Sequence, residues 1–571
     1  MLAAHPADCT PCAEVHRDCK DAVMDRWITD WHISPKYPLL TRANAGEVLP
    51  DPCSPLGWTL VWEPGCCLGW KDAAELDYAC MDPGEMDPVH PEVVCSLGGY
   101  LYINGSAVRV FGYRGPGLTP EAIDYVYFGE HPDVPPFVAE DWHENPAASE
   151  RMGAWMMRVL TADDLPDLRA DRDLADTIRA GRPDLSKLTD TQLVERARSL
   201  VPTIRTLFRR HLAITAASSI GPGVLNAVAG ALGDPTIALK LITSVGEVDS
   251  AAPSYAMWEL SRLSPDSEQY RAGFADFIAR FGSRGPNEWD IRSEVWETKP
   301  ALATALIDAM RAAADADSPS ARNDRNRVMR EAVTAEVREK LAGADDETRG
   351  QFELGLRSAH LHLQGRERTK TNIIKVLHEV RLAMRELGAR HGYTASQTCM
   401  LLDDELDAFV ASPDDFRSRL VGREEQYLSL WELEPPFIVN GSVPPLSQWA
   451  RRGAGTVTMA AHGEQLLGVP GAPGRAVGRA RVVTDPGDPR GLEPGDVLVA
   501  PVTDPAWTPL FVPAAAVVVD VGAQVSHAVI VSRELGIPCV VSVKDATRRI
   551  VDGTMLLVDG DAGTVTVLPV D

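Results

Sequence analysis

Val517-Val-Val-Asp-Val-Gly-Ala-Gln-Val-Ser-His-Ala-Val-Ile-Val-Ser-Arg-Glu-Leu-Gly-Ile-Pro-Cys-Val-Val541 decides how the C-terminal part of the chain is read. A β-branched run leads through a small-residue turn into a helix opening at Ser526-His527, and Gly536 and Pro538 return the chain to a second apolar run. A helix start offers unpaired N–H groups and a partial positive charge, which suit an anion, and Ser526 is expected to cap it. A histidine there has a chemical reading. Neutral imidazole is a nucleophile near pH 7, and a phosphoryl group on ring nitrogen stays reactive enough to be passed on. Read from the residues alone, His527 is equally a structural histidine filling a strand-to-helix turn.

Short β-branched runs at 480–483, 497–499, 516–519, 539–543, 555–558 and 565–568, with one helix at 528–535, predict a compact β/α unit over 466–571. Pro435, Pro436, Pro444 and Pro445 mark an expected linker over 433–465. Residues 136–432 read as helical: Thr189 and Gln192 form a capping box ahead of Leu193, Leu200, Ile204 and Leu207, with Pro202 expected to kink or restart that helix. Segments 266–281, 326–342 and 348–388 behave alike. Residues 1–135 are irregular, with one β element, Tyr100 to Phe111, expected to form a hairpin around Asn104-Gly105. The fold class is therefore multidomain: a mostly α-helical region with a small N-terminal β element, followed by a compact β/α domain.

The 571 residues are 45% hydrophobic and 24% charged, an ordinary globular balance. A net charge of −25 gives no global positive field, so neither nucleic acid nor an anionic membrane is expected as a partner. No run approaches about 18 uninterrupted apolar residues, and the first residues meet Asp, His and Glu early, so a cytoplasmic location is expected. Eight of ten cysteines fall in the first 95 residues. Cys9, Cys12, His16 and Cys19 have soft zinc-ligand character, but the second pair of a finger is missing; no metal is assigned, and reduced, partly buried thiols are the alternative.

Four stretches carry a resemblance: Pro473-Gly-Arg-Ala-Val-Gly-Arg-Ala-Arg-Val-Val483, Gly495-Asp-Val-Leu-Val-Ala500, Thr503-Asp-Pro-Ala-Trp-Thr-Pro-Leu510 and Ser526 to Pro538. In order and spacing they resemble the swivelling phosphohistidine domain of the phosphoenolpyruvate-utilising enzymes, which include pyruvate phosphate dikinase, phosphoenolpyruvate synthase and rifampin phosphotransferase. The resemblance implies that His527 becomes phosphorylated, with Ser526, Thr503 and the Gly522 turn beside it. Ala523 departs from the pattern, standing where the family usually has a second glycine. Thr41-Arg-Ala-Asn-Ala-Gly-Glu-Val-Leu-Pro50 and Gly282-Ser-Arg-Gly-Pro-Asn-Glu-Trp-Asp290 are similar to the acceptor-binding region of rifampin phosphotransferase. No ATP-grasp domain, Gly-x4-Gly-Lys-Ser/Thr loop or β/α barrel repeat is evident. The arrangement resembles a phenylphosphate-synthase-like kinase, in which a separate ATP-grasp subunit binds Mg-ATP and this chain holds no tightly bound cofactor.

Two constellations suggest acceptor-site chemistry. The helix stripe Leu387, Met384, Val380, Leu377 and Ile373 continues to Lys370 and Arg366. Two cations extending an apolar face either clamp a transferring phosphoryl group or are solvated helix ends near Glu367. Arg284, Glu288 and Asp290, with Arg42, Asn44 and Glu47, either orient an acceptor hydroxyl or pin the N-terminal segment by salt bridges. His211, His360 and His362 sit on helices without such context, the last two near Arg366. Trp58, Trp62, Met81, Met86 and Trp155 line an apolar pocket or pack the core. The resulting expectation is a phosphotransferase subunit that carries phosphate on His527 to a small alcohol or phenol. The alternatives are a non-catalytic phosphocarrier or regulatory binding protein, and a pyruvate-directed phosphoenolpyruvate synthase-like component.

Overall fold

A computed structural model describes residues 27–29, 33–128, 131–246, 248–455, 457–485, 492–504, 507–522 and 526–569. In the N-terminal region β1 (Leu39–Thr41), β2 (Val94–Leu97), β3 (Tyr100–Asn104) and β4 (Ile438–Asn440) form an antiparallel sheet ordered β2-β3-β1-β4. Its hairpin turns at Gly98-Gly99, where φ is 59° and 78° and glycine has no Cβ to clash. The hairpin expected at Asn104-Gly105 does not form. Asn104 ends β3, and its side chain accepts from the Ala107 N–H at 3.0 Å, capping a helix over Gly105–Arg114. Asn suits both turns and caps, and the alternation over 107–111 is too short to fix its period.

The helical region is organised by α1 (Asp190–Ala217), α2 (Ala252–Ser261), α3 (Ala301–Met310), α4 (Pro319–Lys340) and α5 (Asp346–Arg390). The Thr189–Gln192 capping box opens α1, which runs through Pro202 without restarting. Along α5, Ile373, Leu377, Val380, Met384 and Leu387 are fully buried in one core with Leu193, Leu200 and Ile204 of α1. Trp58, Trp62, Met81, Met86 and Trp155 belong to that core and pack the fold. Among the described residues one helical run, Asp190–Ala231, is long and apolar enough to cross a membrane by length and composition; its Leu193 and Ile204 are buried inside the protein. Cys53, Cys66, Cys67, Cys80 and Cys95 are buried and outside any disulfide among the described residues. Cys9, Cys12, His16 and Cys19 lie outside the described residues, as does Ala523.

The last unit has an eight-stranded sheet: β5 (Gln465–Leu467), β6 (Val469–Ala472), β7 (Arg475–Val482), β8 (Val497–Ala500), β9 (Ala516–Val519), β10 (Cys539–Val541), β11 (Met555–Asp559) and β12 (Thr564–Val567). Their order is β5-β12-β11-β7-β8-β9-β10-β6, with β7 to β10 parallel and the flanks antiparallel. Buried on both faces, the parallel strands read as continuous apolar runs rather than alternating ones. Among the described residues three helices complete it, α6 (Thr508–Phe511), α7 (His527–Leu535) and α8 (Ala546–Arg549).

This unit is docked on the helical region. Helix α6 packs on α2 and α3, and Trp507, Leu510, Phe511 and Val529 share an apolar core with Met257, Trp258, Leu306 and Met310. Part of the segment expected as a linker is built into the first sheet: β4 pairs with β1, Trp449 packs against Tyr100 with ring centroids 6.1 Å apart, and Tyr102 Oη donates to the Pro436 carbonyl at 2.7 Å. Proline-rich composition marked the absence of helix there, not the absence of packing.

Candidate functional site

His527 is the first residue of α7, where the chain leaves β9 through the Gly522 turn. Ser526 has the extended backbone of an N-cap, φ −71° and ψ 163°, and its carbonyl accepts from the Ile530 N–H at 3.0 Å. Its hydroxyl makes no capping bond, contrary to the sequence expectation, and Oγ is buried without a partner among the described residues. The Gly522 carbonyl is held by the Ser542 hydroxyl. A Cβ on Gly522 would lie 3.0 Å from Val541 Cβ, so the turn packs directly on β10.

The His527 ring is fixed through both nitrogens. Nε2 lies 3.0 Å from Thr508 Oγ1 and Nδ1 lies 3.2 Å from Thr503 Oγ1. Phe511 meets the ring edge-on, with centroids 6.2 Å apart. The residue is only 8% exposed, and burial pushes its pKa well below the ordinary histidine value, helped by the charges of Lys370, Arg284 and Arg366. The imidazole is therefore neutral at pH 7: one ring nitrogen donates to its threonine hydroxyl, and the other carries the lone pair that accepts from the second.

Those three cations come from the helical region. Lys370 and Arg366 project from α5, one turn before the buried stripe. The Lys370 side chain is 15% exposed and its Nζ lies 4.0 Å from Glu288 Oε1. Burial lowers its pKa, against Glu288, Glu367 and Asp504, which hold the charge. Arg284 Nε donates to Glu288 Oε2 at 2.8 Å and Nη1 to Thr371 Oγ1 at 2.9 Å. The Asn287 N–H donates to Asp504 Oδ2 at 2.8 Å, joining the Gly282–Asp290 motif to the residue beside Thr503.

The structure brings together His527, Ser526, Thr503, Gly522, Arg366, Lys370, Arg284 and Glu288. The other acceptor-site candidates have different work. Arg42 lies against Tyr100 and Tyr102 and donates to the carbonyls of Leu101 (2.5 Å), Leu49 (2.9 Å) and Pro50 (3.1 Å). Asn44, at φ 59°, accepts through its carbonyl from the Glu47 N–H at 3.0 Å, and Glu47 is buried in the same turn. Arg42 thereby satisfies buried carbonyls beside the N-terminal sheet, which need donors away from water. Asp290 is fully buried and accepts from Ser54 N–H at 2.9 Å and Ser54 Oγ at 2.5 Å, pinning the N-terminal segment onto the helical region. His360 Nε2 faces the Leu241 carbonyl at 2.8 Å and His362 Nδ1 that of Ser358 at 2.9 Å, both backbone contacts.

His211 gave no signal in sequence. Packing of α1 on α5 sets its Nδ1 3.0 Å from Thr369 Oγ1. Its ring stands 5.9 Å from Phe208 and 6.2 Å from Trp289, and burial with the Arg366 and Lys370 charges lowers its pKa to about 3. A cleft of about 560 Å³ opens beside Asn287, lined by Arg292, Lys299, Arg385, Trp431 and Asp485.

Comparison with known proteins agrees with this geometry. Residues 492–563 match the mobile domain of PEP-utilising enzymes, and residues 262–367 the rifampicin phosphotransferase fourth domain. Over 324 residues the chain is 31% identical to a prodigiosin synthesizing transferase, PigC, of Serratia marcescens, covering 54% of this chain and 35% of that protein. A rifampicin phosphotransferase of Streptomyces sviceus is 30% identical over 332 residues, 54% of this chain and 36% of its own. A phosphoenolpyruvate synthase of Aeropyrum pernix is 48% identical over 106 residues, 18% of this chain and 13% of its own. The chain thus spans little more than a third of the length of the relatives it matches over half its own residues. The chain is thus similar to the mobile domain of PEP-utilising enzymes at 492–563 and to the rifampicin phosphotransferase fourth domain at 262–367.

Proposed function

We propose that this chain is a phosphotransferase component in which His527 receives a phosphoryl group from a separate ATP-grasp subunit holding Mg-ATP and delivers it to the hydroxyl of a small organic alcohol or phenol. The observation that carries the reading is the neutral His527 ring, oriented by Thr503 and Thr508, facing Lys370, Arg284 and Arg366. In delivery the hydroxyl oxygen bonds to phosphorus as the P–N bond breaks. The ring nitrogen that bore phosphorus keeps the electron pair, and the other keeps its proton. Arg366 and Lys370 neutralise charge that spreads over the phosphoryl oxygens as it moves. The hydroxyl proton passes to a phosphoryl oxygen, so the product leaves as the monoester monoanion. The docked arrangement is the delivery end of a swivelling motion, and the cleft beside Asn287 is the assigned acceptor entrance.

The test is product formation. The full chain, a candidate ATP-grasp partner, Mg-ATP and a panel of alcohols and phenols are incubated, and phosphorylated product is sought by mass spectrometry. Product should appear with the wild type and vanish with His527→Ala. Product formed at an unchanged rate by His527→Ala rejects the reading. A labelled His527 that gives up its phosphate to no member of the panel favours a phosphocarrier instead.

A further inference from the structure

Arg284 has three hydrogen-bonding arms on its guanidinium and uses two. Nε and Nη1 are held by Glu288 and Thr371, and Nη2 is buried without a partner among the described residues, in a side chain only 2% exposed. Leaving a charged N–H dry and unpaired is costly, so such a group is expected to have a use. A second unpaired polar atom belongs to the same site: Ser526 Oγ, buried at the start of α7 beside His527. Of the carboxylates nearby, Glu288 takes Nε of Arg284 through Oε2 while its Oε1, 4.0 Å from Lys370 Nζ, accepts no hydrogen bond among the described residues, and Asp504 takes the Asn287 N–H. The open donor belongs to the helical region and the open hydroxyl to the mobile domain.

We infer that Arg284 is a phosphoryl-binding residue: its free Nη2 donates to an oxygen of the phosphoryl group on His527, opposite the Ser526 hydroxyl, forming with Arg366 and Lys370 a three-cation cradle. This rests on the reading of His527 as the phosphoryl carrier. Arginine suits the task better than lysine, because its fixed fork keeps two arms on Glu288 and Thr371 while the third points at the ligand. The Glu288 contact then orients the fork, and the phosphoryl dianion satisfies the arm that the dephosphorylated protein leaves dry.

Inorganic phosphate is the probe. It is titrated into the full-length protein and followed by calorimetry and by the histidine ring resonance that is missing in His527→Ala. The wild type should bind phosphate at millimolar concentrations and shift that resonance, and both Arg284→Gln and Arg284→Lys should weaken binding at least tenfold. Arg284→Lys keeps the charge, so if Arg284→Gln melts early, the lysine variant alone decides. Absence of phosphate binding by the wild type, or unchanged affinity in a folded Arg284→Lys protein, overturns the inference. Its failure is separable from that of the proposed function: labelling of His527 is measured independently, and an Arg284-dependent phosphate site with an unlabelled His527 would reject only the carrier role.

Discussion

Replacing Glu534 by Gln should stabilise the folded chain in a pH-dependent way. Glu534 lies on α7 and is 3% exposed; Oε1 accepts from the Val245 N–H at 3.2 Å, while Oε2 is buried without a partner among the described residues. Burial pushes its pKa from 4.5 up to about 8, with Glu367 adding to the rise, against the Val245 N–H, Arg330 and Arg533. Tyr255 also faces it. Because the folded value is raised, stability is undiminished below pH 4.5 and falls as pH climbs towards about 8, where the bound proton is finally lost. Holding that proton at pH 7 costs about 3 kcal/mol, rising to about 5 kcal/mol above the folded-state pKa. Glutamine keeps the oxygen acceptor and never ionises. Urea unfolding of the two proteins should therefore coincide near pH 4.5 and separate with rising pH, Glu534→Gln being the more resistant by up to about 3 kcal/mol at pH 7. A variant weaker than wild type at pH 8, or equal to it from pH 5 to pH 8, would refute this reasoning.

Three further outcomes are expected. Arg366→Ala and Lys370→Ala should slow transfer from His527 by about two to three orders of magnitude in the assembled system, while loading of His527 stays near normal; single-turnover decay of the labelled protein measures both. Gly221→Ala should destabilise by roughly 1–3 kcal/mol, since its Cβ would lie 2.3 Å from the Ala359 backbone nitrogen where two helices cross; a denaturation curve like that of the wild type would show that the crossing yields. An engineered disulfide tying α6 to α2 should leave delivery of a preloaded phosphoryl group intact and abolish reloading, because the shared apolar core must open for His527 to reach another subunit; repeated turnover in the locked protein would show that no swivel is needed.

Much of the mobile domain was legible because its signals are local. Gly and Pro punctuate β-branched runs, and the parallel strands match those runs to within a few residues. The Ser526-His527 turn was legible too, but the role of the serine hydroxyl was not, since sequence cannot tell a capping hydroxyl from one left open at a site. The hairpin was misplaced because Asn104 serves a cap as readily as a turn, while Gly98-Gly99 looked like ordinary loop. Arg42 and Asp290 fell in recognisable motifs, yet their partners are carbonyls and Ser54, which only the folded chain brings near. His211 was invisible for the same reason: it is 158 residues from Thr369, and packing of α1 on α5 makes the contact. Arg366 and Lys370 were visible as a stripe, but whether the stripe met solvent or a second domain depended on docking.

The central claim is that His527 alone carries phosphate. Its most direct test is site mapping of radiolabelled protein after incubation with a loading subunit and Mg-ATP, with digestion at neutral pH to preserve phosphoramidate. One acid-labile phosphate should map to His527 in the wild type, and none should appear in His527→Ala. Equal labelling of His527→Ala, or an acid-stable phosphate on any other residue, would contradict the account.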